Sequence, residues 1–327
     1  MSTKSATTKA KQSFGDRITS LYSKAGVLVI LLIMCIILSI ATDTFLTSRN
    51  LINVVRQIAF YNIIAFGAMC IIITGGIDLS AGSVVGITSV FVAMAAHNNM
   101  PWPIYFLIAL LVGLVVGGAN GFLVSFTRMP PFIATLGTQI IVRGAALLIT
   151  NGRPVSDLNE GFIFLGSGGL GPIPMPIIFL VIISAVIWYV LNYSKIGRHV
   201  YAIGGNEQAA IVSGVNTKLV KVFVYVLAAV LAAFAGMVLT ARVASGQPGL
   251  GEGFELEAIA GAVIGGVSLS GGAGTVYGVI CGTLIIGVLN NGMDLLNISG
   301  YWQDIAQGLI IVLAVLLDTL RRRTAKN

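Results

Sequence analysis

Long apolar runs constrain this sequence more than any other feature. Crossing a hydrocarbon core of about 30 Å takes about 17–25 residues as a helix, and about ten runs approach or reach that length. Only 9% of the 327 residues are charged and 56% are hydrophobic, too little charge to cover a water-facing surface. The sequence therefore predicts an all-α membrane protein, a polytopic bundle of about ten transmembrane segments. The runs are 25–41, 52–74, 81–96, 103–126, 132–150, 175–191, 222–240, 258–269, 275–289 and 305–320.

Basic residues divide the connecting loops into two sides. Most of the 19 Lys and Arg residues fall in loops that would be cytoplasmic if the N-terminus were cytoplasmic, as the positive-inside rule expects. We therefore expect a cytoplasmic tail at residues 1–24, a membrane domain at 25–320 and a basic cytoplasmic tail at 321–327. The first run is long for a signal peptide and lacks a small-residue cleavage site, so a retained helix is expected.

One glycine-rich motif occurs twice between apolar runs. Residues 75–82 and 265–272 both read Gly-Gly-(Ile/Val)-x-Leu-Ser-x-Gly, and we call them the first and second motif. Polar breaks at membrane depth are typical of transporters, in which short or broken helices surround a path, whereas plain helix-capping turns are the alternative. An even number of segments separates the motifs, which places both on one side of the membrane. Either the duplication is parallel or a short segment such as 258–269 is re-entrant.

The predicted cytoplasmic loop at 192–221 carries a short helical stub at residues 204–214. Gly204 and Gly205 precede Asn206, a favourable helix N-cap. Glu207 suits the positive start of a helix, and Gly214 would end it. An exposed stub of this kind can dock in a groove of a partner protein, and a linker helix on the membrane surface is the alternative.

The stub resembles the cytoplasmic coupling loop of ABC importer permeases, because Ala209, Ala210 and Gly214 follow Glu207 in that family's pattern. Four stretches occur together in an order similar to that of one branch, the permease subunits of ribose/xylose/galactoside-type sugar importers. They are residues 75–80, 131–137, 202–206 and 289–292. The resemblance extends from about Phe45 to Leu320, nearly the whole chain.

The resemblance implies a function and a set of partners. It implies a permease in the bacterial cytoplasmic (inner) membrane that imports a monosaccharide, ribose or a close relative, by alternating access. The partners would be an ABC ATPase subunit that uses ATP, an extracytoplasmic sugar-binding protein and a second permease copy, expected as a homodimer. The chain itself would bind no cofactor, metal or nucleic acid and would carry no catalytic residue. The residues that would engage the ATPase are Gly204, Gly205, Asn206, Glu207, Ala209, Ala210 and Gly214.

Polar side chains inside the apolar runs or directly next to them are candidates for a translocation path or gate. Amides and hydroxyls suit a sugar because they can donate and accept, and an ionisable group at membrane depth is a functional candidate. The structural alternatives are a helix cap for Asp78, snorkelling or a pair with Asp157 for Arg143, and helix–helix contacts for the asparagines. The candidates are Asp78, Ser80, Asn62, Asn120, Arg143, Asn290 and Asn291.

Two other function classes compete with a permease, and one other surface could bind a partner. An ion-coupled secondary transporter would need a buried cluster of acids or histidines, and Asp78 alone does not make such a cluster. An intramembrane enzyme would need a paired nucleophile and base or a metal motif, and the sequence contains neither. Glu252, Glu255 and Glu257 lie in a predicted outside loop, where they would dock a basic partner or form a solvated face.

Overall fold

A computed structural model describes residues 14–326, which form helices and one short antiparallel hairpin. Predictions for residues 1–13 and 327 lie outside the described residues. The first helix begins within the predicted tail, before the apolar run at 25–41. The elements are α1 (Phe14–Ala41), α2 (Ser48–Ile73), α3 (Ala81–His97), α4 (Trp102–Phe126), α5 (Pro131–Thr150), α6 (Glu160–Ser167), β1 (Gly169–Leu170), β2 (Ile173–Pro174), α7 (Met175–Tyr193), α8 (Lys195–Gly205), α9 (Glu207–Val212), α10 (Thr217–Val243), α11 (Phe254–Ile264), α12 (Val276–Leu295) and α13 (Gly300–Lys326).

Six helices in the described part of the chain are long and apolar enough to cross a membrane: α2, α4, α5, α7, α10 and α12. Two apolar helical stretches are shorter, Leu28–Ala41 within α1 and Ala81–His97, which is α3. The predicted helical class is therefore confirmed, and each predicted run overlaps a helix. The count of about ten crossings is not confirmed by this criterion.

Helix α10 lies at the centre of the bundle, where it packs against α2, α3, α4 and α6. Its approach to α4 depends on a row of glycines at every fourth residue. A Cβ added at Gly113, Gly117 or Gly121 would lie 2.5–2.8 Å from a Cα atom of α10. Helices in lipid gain stability from such close van der Waals packing, because lipid supplies no hydrophobic drive between them. The abundance of glycine in the sequence is explained in part by this contact.

A smaller apolar cluster attaches the N-terminal helix to the bundle. Leu38 and Phe45 pack with Val54, Ile58 and Val288, which joins the end of α1 to α2 and α12. Helices α5 and α7, by contrast, present most of their apolar surface outward. Their outward faces suit lipid or another membrane helix.

The chain is non-helical at three places that shape the interior. Residues 74–80 separate α2 from α3, residues 265–275 separate α11 from α12, and residues 244–253 connect α10 to α11. At 1.5 Å per residue, the 11 residues of α11 extend about 16 Å, roughly half of a membrane core. Helix α11 is thus the short helix that the sequence predicts near 258–269, beginning and ending a few residues earlier.

Candidate functional site

The 204–214 stub is formed by the end of α8 and by α9, which meet at Asn206. This residue is extended, and its side-chain Oδ1 accepts a hydrogen bond from the Ala209 amide at 3.0 Å. The predicted N-cap is confirmed. Helix α9 ends at Val212, and Gly214 stops it as predicted, because its φ of +82° turns the chain so that the Val215 amide donates to the Ala210 carbonyl oxygen at 3.0 Å.

The stub is fixed to the bundle on one side and exposed on the other. Ala210 is buried, and the Lys221 ammonium donates to the Glu207 carboxylate at 2.7 Å. On the open side Val212 is 88% exposed and Ile211 is also exposed. Exposed apolar side chains on a braced helix are what a docking surface needs. Of the other predicted coupling residues, Gly205, Asn206, Ala209 and Gly214 are exposed and Gly204 is half-buried.

The inner side of α8 contacts the second glycine-rich motif and Ile73, the last residue of α2, just before the first motif. The Tyr201 hydroxyl donates to the Gly274 carbonyl oxygen at 2.8 Å, just after the second motif. Burial, with a smaller contribution from the Cys70 thiol, raises the pKa of Tyr201, so this hydroxyl stays protonated and can donate. The Gly272 amide donates to the Ile73 carbonyl oxygen at 2.9 Å, beside the first motif. Both motifs therefore lie at one end of the bundle, as their even spacing predicts.

Three of the predicted path residues form one buried cluster. The Ser80 amide and hydroxyl both donate to Asp78 Oδ1, at 2.8 and 2.6 Å, and Asn120 Nδ2 donates to Ser80 Oγ at 2.8 Å. Asp78 does not cap α3 directly, because its partner is the cap residue Ser80 rather than an amide within the helix. All three side chains are buried, so in this conformation the cluster braces the break between α2 and α3.

Arg143 on α5 binds backbone carbonyl groups. Its guanidinium donates to the carbonyl oxygens of Gly82 and Leu250, each at 3.0 Å, and to that of Pro248. The alternative of a pair with Asp157 is therefore wrong. Arginine suits this arrangement, because its planar group offers five donors in a fixed fork.

The remaining path candidates lie apart from one another. Asn62 Nδ2 donates within α2 to the Ile58 carbonyl oxygen at 3.3 Å. Asn291 exchanges two hydrogen bonds of 2.9 Å with Asn50, which joins α12 to α2. Asn290 is buried nearby, and its Oδ1 has no hydrogen-bond partner among the described residues. Of these three, Asn291 is the one whose hydrogen bonds join two helices, so its geometry favours the helix–helix alternative.

Sequence reasoning missed the course of residues 244–253, which we call the returning segment. It runs back along α3 instead of forming an outside loop. The Gln247 amide donates to Ser89 Oγ at 3.1 Å, and Gly246 lies against Ala93. Further along, Gly251 lies against Gly82 at the start of α3. Its run of glycines around Pro248 is the signal that could have indicated an irregular segment in close contact.

The glutamates beyond the returning segment are also placed differently from the prediction. Glu255 is 6% exposed, and its Oε1 accepts from Gln139 Nε2 at 3.1 Å. Neither docking of a basic partner nor a solvated face describes this residue. Within residues 14–326, no group of three or more His, Cys, Asp or Glu side chains gathers as a metal site would.

Broken helices around a buried polar break, with an exposed stub packed on both breaks, define a polytopic membrane permease. Comparison with known proteins gives the family. The family described as "Branched-chain amino acid transport system / permease component" matches residues 50–315, and the chain belongs to it. The expectation of a transport subunit rather than an enzyme is confirmed.

The most similar relatives include several bacterial import permeases. The ribose import permease protein of Bacillus subtilis (strain 168) is 42% identical over 304 residues, which cover 92% of this chain and 94% of the relative. That of Escherichia coli (strain K12) is 38% identical over 299 residues, covering 90% and 93%. The galactose/methyl galactoside import permease protein of the same strain is 38% identical over 317 residues, covering 91% and 94%. No solved structure gives a significant match to this chain.

Proposed function

We propose that this chain is the membrane-spanning subunit of an ATP-driven importer for a monosaccharide, ribose or a closely related sugar. The observation that carries the proposal is the 204–214 stub, which exposes apolar side chains while its inner side packs on both breaks in the helices. A separate ATPase subunit would bind the stub from the cytoplasm. Movement of the stub would then reach the interior of the bundle.

The orientation of the chain is inferred from its charges. The stub lies between Lys195 and Lys221, and Arg128 lies in the connection from α4 to α5 at the same end of the bundle. These basic positions support a cytoplasmic location for this end, for both motifs and for both termini, in the bacterial inner membrane. The loop with the hairpin would then face the extracytoplasmic side, and from there the returning segment would run inward along α3 to Gly82.

The interior suits a polar cargo that must not be held tightly. The first motif and the returning segment bring backbone groups and hydroxyls to the start and the middle of α3 without a ladder of charges. We assign Asp78, Ser80 and Asn120 to bracing the break and Arg143 to holding the returning segment. Weak contacts of this kind would let a sugar pass between outward-open and inward-open states.

The choice of substrate rests on the relatives and not on the family description. The family description names branched-chain amino acids, whereas relatives that match along nearly the full length carry names of ribose or galactoside import permeases. By the same reasoning the partners are an ABC ATPase, an extracytoplasmic sugar-binding protein and a second copy of the permease. The outward apolar faces of α5 and α7 could accommodate that copy.

The decisive experiment changes the exposed apex of the stub. Val212→Asp places a charge where an apolar contact is proposed and touches nothing inside the bundle, because Val212 is exposed. We expect ATPase association to weaken by more than about tenfold, since desolvated apolar anchors dominate interfaces. ATP-dependent uptake of D-ribose should fall with it. Lys195→Ser, an exposed change at the far end of α8, is the matched control and should leave both unchanged.

Two outcomes would contradict the proposal. One is a Val212→Asp variant with normal ATPase association and normal uptake. The other is uptake that persists after ATP depletion but stops with an uncoupler, which would favour the ion-coupled alternative. Competition of D-ribose uptake by D-xylose and D-galactose would then rank the sugars.

A further inference from the structure

The C-terminal end of α8 fits between the last residue of α2 and the second glycine-rich motif, in a contact of backbone against backbone. The Gly272 amide donates to the Ile73 carbonyl oxygen at 2.9 Å, and Gly204 lies against both atoms of this hydrogen bond. A Cβ added at Gly204 would fall far inside van der Waals contact with the Ile73 oxygen and the Gly272 nitrogen. Three backbone segments that are distant in sequence therefore meet at one point.

The second motif is shaped to make this contact. Gly271 and Gly272 have φ values of +85° and +75°, which turn the Gly272 amide toward Ile73. A Cβ at Gly271 would lie 3.0 Å from the carbonyl oxygens of both Gly204 and Ile73. The hydrogen bond from Tyr201 to Gly274 holds the same turn one helical turn earlier along α8.

We propose that Gly204 is a positioning residue that transmits displacement of the 204–214 stub directly to the end of α2, next to the first glycine-rich motif, and to the second motif. This inference rests on the proposed function, because it assumes that an ATPase moves the stub. It goes further by assigning the point of transmission and the two segments that receive the motion.

The contact can transmit motion because it contains no flexible side chain. A contact between flexible side chains can absorb a small displacement through rotamer changes, whereas backbone packed on backbone has no such freedom. Asn206 joins α8 to α9 directly after the contact, because its amide donates to the Ala202 carbonyl oxygen and its Oδ1 accepts from the Ala209 amide, each at 3.0 Å. A shift of the stub must move the end of α2, the second motif, or both. Such packed contacts change between discrete arrangements and do not deform continuously.

The test compares two helical glycines in the assembled transporter. The full complex, with its ATPase and sugar-binding protein, is reconstituted in liposomes, and D-ribose uptake is measured per ATP hydrolysed. Gly204→Ala introduces the Cβ that the contact excludes, whereas Gly118→Ala on α4 adds a Cβ that meets nothing within 4 Å. Both changes raise helix propensity alike, so that effect cancels in the comparison.

We expect Gly204→Ala to keep its ATPase and to continue hydrolysing ATP while uptake per ATP falls by about tenfold, within the range of coupling between sites. Gly118→Ala should match the wild type. Tyr201→Phe removes the hydrogen bond to Gly274 without adding volume, and uptake per ATP should fall less than in Gly204→Ala.

The inference is overturned if Gly204→Ala assembles and transports the wild-type amount of sugar per ATP, or if its only defect is loss of the ATPase. Should Gly204→Ala not fold, Tyr201→Phe decides, and unchanged uptake per ATP in that variant overturns it. Failure of the wild-type chain to bind an ATPase would instead refute the proposed function.

Discussion

The two glycine-rich motifs share a sequence pattern but differ in their structure after the first two glycines. Both stop a helix in the same way. In the first motif the Gly76 amide donates to the Ile71 carbonyl oxygen, and in the second the Val267 amide donates to that of Ala262. Positive φ values at Gly75 and Gly266 permit these helix ends. The residues that the two motifs share thus specify the end of a helix. Relative to the start of the motif, that end falls one residue later in the second motif.

Beyond that stop the first motif remains non-helical up to Ser80 and is braced by neighbouring helices. The Tyr225 hydroxyl of α10 donates to the Ile77 carbonyl oxygen at 3.3 Å, and Thr135 Oγ1 of α5 accepts from the Leu79 amide at 3.1 Å. Asn120 of α4 completes the set through Ser80. The next helix begins at Ala81, so the chain re-enters the bundle at once.

The second motif instead closes on its own backbone. The Ser268 amide donates to the Ala273 carbonyl oxygen and the Gly271 amide to that of Ser268, each at 2.9 Å. Its position corresponding to Asp78 is Ser268, whose hydroxyl has no hydrogen-bond partner among the described residues. The first motif is therefore held from outside by side chains, and the second is a self-contained turn that presents backbone to α8. Substitutions at matched positions of the two motifs should therefore change the stability of the protein by different amounts.

The largest difference is expected at the last glycine of each motif. Gly82→Ala would drive a Cβ into the Gly251 carbonyl oxygen and the Glu255 carboxylate, so α3 and the returning segment would have to separate. Overpacking of this kind costs about 1–3 kcal/mol, and we expect about 3 kcal/mol here because one neighbour is backbone. Gly272→Ala should cost less, about 1–2 kcal/mol for its left-handed φ, since its nearest neighbours lie at 3.1 Å.

Denaturant titration of the purified protein in detergent would measure both variants. Gly144→Ala on α5 is the control, because a Cβ there meets nothing within 4 Å. Equal destabilisation by Gly82→Ala and Gly272→Ala would show that the two motifs pack alike, contrary to the contacts of Gly82 with the returning segment.

Local chemistry explains which parts of the site the sequence could predict. Asn206 as a cap and Gly214 as a helix end depend on hydrogen bonds to residues within five positions, and both were predicted. The apolar runs likewise located the helices, because hydrophobic length is a local property.

The partners of Arg143 and Glu255 could not be predicted in this way. Arg143 binds backbone carbonyl oxygens near residue 250. Every residue has such a carbonyl group, so the sequence does not show which ones an arginine will bind. Charge alone suggested that Glu255 was solvated, whereas the close approach allowed by Gly82 buries it against α3. Both errors arise from the returning segment, whose path is set by distant backbone contacts.

A second, intermediate effect is expected at the fourth position of the first motif. Asp78→Ala would leave the Ser80 amide and hydroxyl without their acceptor in a buried site, which costs about 1–3 kcal/mol. Asp78→Asn retains a side-chain carbonyl oxygen and should lose less than half as much. A shared loss in both variants would indicate that the negative charge, and not the acceptor, holds the break, and denaturant midpoints would distinguish the two.

The smallest effect is expected at the matching position of the second motif. Ser268→Ala removes a buried hydroxyl that has no described partner, while the backbone hydrogen bonds of the turn remain. Removal of an unpaired polar group should change stability by no more than about 0.5 kcal/mol, and it can be slightly stabilising. The same titration measures it, with uptake per ATP as a second readout. A loss as large as that of Asp78→Ala would mean that Ser268 has a partner in the assembled transporter, so the second motif would also be braced from outside and the contrast between the motifs would fail.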